Sequence, residues 1–130
     1  MKNLIIVRGG GDLATGTIYK LKKCGFPVLI LEVAQPSAIR RNVAFCEAVY
    51  QGSQTVEDMT CHLAESIEQA RALLQEGKLA VLVDPEGEAI QTLKPLAVVD
   101  AILAKKNLGM HRQLAPITVA LGPGFVAGVD

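Results

Sequence analysis

Ten consecutive residues near the start of the chain, Val7-Arg8-Gly9-Gly10-Gly11-Asp12-Leu13-Ala14-Thr15-Gly16, have the makings of a backbone cradle for an anion. Gly9, Gly11 and Ala14 fill the G-x-G-x-x-A form of the dinucleotide fingerprint. In that pattern the first glycine makes a tight turn, the second lets the main chain approach a pyrophosphate, and the small third residue lets a helix pack close to the preceding strand. Free amides at the helix start supply the anion site. Gly10 and Gly16 add further room for approach, whereas Asp12 would repel a phosphate unless it caps the helix with its carboxylate turned inward. Glu32 stands about 20 residues past the glycines, where NAD-type folds keep an acceptor for the ribose hydroxyls and thereby disfavour a 2′-phosphate. An ordinary solvated carboxylate at a strand end is the plain alternative for Glu32.

Asp84, Asp100 and the Gly122-Pro123-Gly124 turn each follow an apolar run and join the same set, with helix capping as the competing role for the two aspartates. No catalytic base or nucleophile pair is visible, so no catalytic residue is assigned. His62 and His111 lack neighbours at metal-ligand spacing, and no metal site is expected. Cys24 and Cys46 read as core residues on helical apolar faces, with a reactive thiol as the alternative for either if exposed. Arg40-Arg41 reads as a solvated pair, with a phosphate clamp as the alternative, and Lys105-Lys106-Asn107 as a helix end.

The elements that must position these residues are strands and helices in alternation. Leu4–Val7 is an apolar run ending in glycines, as a strand buried on both faces reads, and a helix from Asp12 to the Lys20, Lys22, Lys23 cluster is closed by Gly25. Val28–Leu31, closing on Glu32, completes a strand-helix-strand unit. Residues 38–50 read as a helix, Val56 and Cys61–Leu63 as a hairpin around Glu57-Asp58, and Ser66–Gln75 as a helix stopped by Gly77. Leu79–Val83, Leu96–Val99 and Ile117–Leu121 are three further strands, and the first and last of these, with Leu4–Val7, are expected to be the most buried. The whole predicts one α/β domain over residues 1–130, doubly wound, Rossmann-like, with a mainly parallel sheet and helices on both faces.

Composition narrows the partners. Of 130 residues 50% are hydrophobic, enough for one core, and 13 basic side chains balance 13 acidic ones, which removes the long-range field that concentrates nucleic acid. Aromatics are only 4% of the chain, so bases have few platforms on which to stack. The three cysteines form no ligand-like spacing, and no apolar stretch approaches a membrane span or a signal-peptide core. A cytoplasmic protein with neither nucleic acid nor membrane as partner is expected. Self-association is left open.

Six stretches in order, VRGGGDLATG at 7–16, VLILEVAQPSAIRR at 28–41, FCEAVYQG at 45–52, VLVDPEGE at 81–88, VVDAILAKKNLG at 98–109 and APITVALGPGFVAG at 115–128, resemble the YqeB family. These are accessory proteins of the selenium-dependent molybdenum hydroxylase system, related in theme to the XdhC maturation factors. The resemblance implies a role in maturing or supporting a molybdenum hydroxylase client, with NAD(P), another nucleotide or a molybdopterin-type cofactor as ligand. It maps the family's Gly-rich start onto Gly9, Gly10, Gly11, Asp12 and Gly16, and its second glycine loop onto Gly122, Pro123, Gly124 and Phe125. It also implies family members about twice this length, so that the chain reads as a fragment. Two other functions fit the same residues: the cofactor domain of an NAD(P)-dependent oxidoreductase, and a nucleotide-binding module without catalysis.

Overall fold

A computed structural model describes residues 3–36, 38, 43–101 and 116–120. Its elements are β1 (Ile5–Arg8), α1 (Asp12–Lys23), β2 (Val28–Glu32), a 3-10 turn (Phe45–Glu47), α2 (Ala48–Gln51), β3 (Ser53–Val56), β4 (Met59–Ala64), α3 (Ile67–Gln75), β5 (Leu79–Val83), α4 (Glu88–Leu93), β6 (Ala97–Asp100) and β7 (Ile117–Ala120). The seven strands form one sheet in the order β3-β4-β5-β2-β1-β6-β7. Every pairing is parallel except that of β3 with β4. The fold is therefore the Rossmann-like α/β sheet that the alternating runs predict, with a hairpin at one edge.

The central strands carry apolar residues at consecutive positions because both faces of the sheet are covered. One face buries Leu4, Ile6, Leu29, Leu31, Ala80, Leu82 and Val98 under α3 and α4; the other buries Ile5, Val7, Val28, Ile30, Val81 and Val99 under α1 and the Phe45–Ala48 segment. Each fully buried Leu, Ile or Val contributes on the order of 1.5–3 kcal/mol relative to its exposed state. Helix ends follow local chemistry. The Ser66 hydroxyl accepts from Gln69 N–H at 3.0 Å at the start of α3. At its end Gly77 takes φ +80, with Gly77 and Lys78 N–H returning to the carbonyls of Leu74 and Leu73, a Schellman closure.

Three expectations are corrected. Residues 38–50 do not form one helix: Ala38 lies outside any element, the 3-10 turn and α2 occupy Phe45–Gln51, and 39–42 fall outside the described residues. β7 is not among the most buried strands, since Ile117 and Val119 are 49% and 42% exposed. Among the described residues it pairs with β6 alone, and neither Ile117 nor Val119 joins the apolar clusters packed on the two faces of the sheet. Cys24 does not pack in the core; it sits at the C-cap of α1 and is exposed. Sequence periodicity also missed α4, whose six residues are too few for a helical pattern to repeat.

On the surface, α1 is tied to the β3–β4 turn by Asp58, whose carboxylate accepts from the Tyr19 hydroxyl at 2.5 Å and from the Lys23 ammonium. These two donors hold the exposed Asp58 carboxyl down at about 2, first through Lys23 and then through Tyr19. The group thus binds protons less readily when folded. Its contribution to stability is present above the ordinary carboxylate range and is lost as pH falls from about 4 toward 2, and salt screening keeps that contribution small. An NMR titration of Asp58 should show a midpoint near 2, returning toward the ordinary range in a Tyr19→Phe, Lys23→Met double variant. Gly16 lies exposed on α1, where an added methyl group would meet nothing within 4 Å. Gly16→Ala should therefore raise unfolding free energy by about 0.5–1 kcal/mol in chemical denaturation, because glycine in a helix interior carries excess unfolded-state entropy.

Candidate functional site

β1 lies inside the sheet with β2 on one side and β6 on the other. The chain leaves β1 through Gly9–Gly11 into α1 and returns on the β2 side, then adds β5 beyond β2 before crossing to place β6 on the far side of β1. The strand order therefore reverses between β1 and β6. In open α/β sheets ligands sit outside the carboxyl ends of the strands at such a point. Gly9–Gly11, Glu32, Asp84 and Asp100 all stand at this edge, as expected. Gly122 and Gly124, with Pro123 and Phe125, lie outside the described residues, as do Arg40, Arg41, Lys105, Lys106, Asn107 and His111.

The three loop glycines have different physical reasons for being glycine. Gly9 has φ +100, in the region that side chains avoid, and its N–H donates to the Leu31 carbonyl at 2.8 Å. Gly10 is buried where a Cβ would lie 3.1 Å from Ile30 Cγ2 and 3.2 Å from Cys46 N. Its carbonyl accepts from Cys46 N–H at 2.8 Å, so the backbone of the 3-10 turn rests directly on the loop. Gly11 is the N-cap of α1 with φ −67 and ψ −179, angles open to any residue. Asp12 follows as the first residue of α1, so the helix is capped by a glycine that brings no side chain to its amides. Ala14 is buried against the strand face, as the fingerprint requires. Thr15 locks the assembly. Its hydroxyl bonds to the Gly11 carbonyl at 2.8 Å and accepts from Phe45 N–H at 3.0 Å.

Glu32 comes to this loop. Its Oε2 accepts from Gly10 N–H at 2.7 Å, and its Oε1 from Val33 N–H at 3.1 Å. Asp84 does what the competing reading held: its two oxygens accept from Glu88 N–H at 3.0 Å and Ala89 N–H at 2.8 Å, capping α4. Asp100 instead faces Arg8, its register partner across β1 and β6. Both are buried, at 1% and 4% exposure, with Arg8 Nη1 3.9 Å from Asp100 Oδ2 and Nη2 donating to the Pro85 carbonyl at 3.3 Å. Arg8 continues the alternation of Leu4 and Ile6, which places this pair on the α3–α4 face, while Glu32 meets Gly10 on the α1 side.

Arg8 is the residue that sequence reasoning passed over. The signal was a cation closing an otherwise apolar β-strand immediately before the glycines, since burying such a charge requires partners that sequence does not reveal. Cys46 and Cys61 are both buried, and burial, with Cys46 adding to it, pushes the Cys61 thiol up, away from reactivity. Among the described residues no group of three or more His, Cys, Asp or Glu is placed to hold a metal ion, and no helix is long and apolar enough to cross a membrane.

The chain is 50% identical over 127 residues, 98% of its length, to the uncharacterized protein YqeB of Escherichia coli K12. It spans only about a quarter (24%) of that relative, which is thus about four times as long as this chain, where the resemblance had implied a factor of two. No protein-family profile and no solved structure matches.

The contacts at Gly10 generate a stability test that needs no ligand. Gly10→Ala should cost about 1–3 kcal/mol in chemical denaturation, because Cys46 is held by its own bond to the Gly10 carbonyl and cannot yield to the added methyl. An unchanged midpoint would show that the 3-10 turn does not rest on the loop.

Proposed function

We propose that the Gly9–Gly11 turn and the start of α1 bind a nucleotide or another phosphate-bearing cofactor, and that the protein serves as an accessory or maturation factor for a selenium-dependent molybdenum hydroxylase. The observation that carries the binding half is Gly11. Its backbone angles ask for no glycine, and Ser, Thr, Asp or Asn would cap α1 better. An N-cap without a side chain at the carboxyl edge of the sheet offers an anion the first-turn amides, where the helix dipole favours negative charge and the charge of Asp12, the next residue, opposes it. The accessory half rests on the six stretches shared with the YqeB family and on the 50% identity to its Escherichia coli member. It goes with a cytoplasmic address and a molybdenum hydroxylase as client.

A second reading, the cofactor domain of an NAD(P)-dependent oxidoreductase, draws on Glu32. This acid ends β2 and lies 22 residues beyond Gly10 in the chain, the place of a ribose acceptor in dinucleotide folds. Hydride transfer by the full-length protein would favour it, and capture of a molybdenum hydroxylase the first.

Native mass spectrometry of the full-length protein should show a copurifying nucleotide or molybdopterin, and calorimetric titration should then give its affinity. Gly11→Val should abolish that binding in a folded protein, because a branched Cβ at the N-cap occupies the space of the phosphate. Unchanged affinity in a folded Gly11→Val protein would reduce the loop to a turn.

A further inference from the structure

Given a ligand at the Gly9–Gly11 loop, as proposed above, its first competitor belongs to the protein itself. The Glu32 carboxylate accepts from Gly10 N–H at 2.7 Å, within the range of charge-assisted hydrogen bonds. The peptide units around that amide are fixed. Gly9 N–H is spent on the Leu31 carbonyl at 2.8 Å, and the Gly10 carbonyl is held by Cys46 N–H at 2.8 Å. The amide therefore points where Glu32 lies and has little freedom to turn toward another acceptor. A carboxylate and a phosphate oxygen present the same chemistry to an N–H donor, so Glu32 stands in the loop as an internal anion. Arg8, at the same edge, has Asp100 Oδ2 3.9 Å from its Nη1.

We infer that Glu32 is the specificity-determining residue of the loop, excluding compact polyphosphates from the Gly10 amide by charge. A polyphosphate seated on Gly10 must displace Glu32 or lie beside it, and either course is opposed by one unit of like charge. A ligand is accepted when its phosphate stays beyond Gly10, over the start of α1. This is a different role from reading a ribose, and the two are separated by a probe that has no ribose.

The probe is inorganic pyrophosphate, titrated calorimetrically into the full-length protein and its variants. Glu32→Gln keeps a side-chain oxygen for Gly10 N–H and removes the charge. It should bind pyrophosphate at least about tenfold more tightly than the parent, about 1.4 kcal/mol. Glu32→Ala, which removes charge and acceptor together, should also bind more tightly and serves as the second variant if Glu32→Gln does not fold. Equal or weaker pyrophosphate binding by folded Glu32 variants, with binding still lost in Gly11→Val, would overturn the charge filter and leave the loop as a ligand site. Absence of pyrophosphate binding in the parent and in both Glu32 variants would overturn the filter together with the loop reading.

Discussion

The main chain of Gly10 runs in contact with Ile30 of the neighbouring strand and with the backbone of Cys46, and much of this end of the molecule is built around that approach. Because no side chain stands at Gly10, the 3-10 turn can lie on the loop, bring Phe45 into full burial and lend its Phe45 N–H to Thr15. Thr15 in turn bonds to the Gly11 carbonyl and so ties the first turn of α1 to the same segment. The position of the α1 N-terminus, and hence any anion site there, is thus a consequence of backbone packing as much as of the helix itself. Glycines that look like a ligand motif divide into one required by φ, one required by packing and one that the backbone angles do not require.

The sheet also partitions the polar groups at its carboxyl edge. Arg8 and Asp100 form a buried pair on the α3–α4 side, and Arg8 reaches the Pro85 carbonyl, so the loop before α4 is braced to β1 and β6. Buried ion pairs seldom add net stability, because desolvation consumes the Coulombic gain; what such a pair supplies is a defined arrangement of the loops it joins. Asp84 extends the bracing through its cap on α4, and Asp84 N–H donates to the Glu32 carbonyl at 2.8 Å, linking the ends of β2 and β5. Glu32 is thereby held from its main chain on one side while its carboxylate serves the glycine loop on the other.

Local chemistry alone accounted for the first strand-helix-strand unit, the β3–β4 hairpin, α3 with its Ser66 start and Gly77 stop, and β5 and β6. Each rests on interactions spanning a few residues: continuous apolar runs, helical spacing, capping side chains and left-handed glycines. The presence of Glu32 at the end of the second strand was legible for the same reason. What periodicity could not carry was anything decided between distant segments. The split of 38–50 into a 3-10 turn and α2 follows from docking onto Gly10. Among the described residues Ile117 and Val119 stay outside the apolar clusters packed on the two sheet faces, which an apolar run does not reveal by itself. The pairing of Arg8 with Asp100, 92 positions apart in the chain (100 − 8), required β6 to cross to the far side of β1. Residue types and short-range spacing thus determined which elements form and which polar groups end them. Only the tertiary structure decided which of those groups meet, because strand order and sheet face are set by long-range packing on which a local apolar pattern is silent.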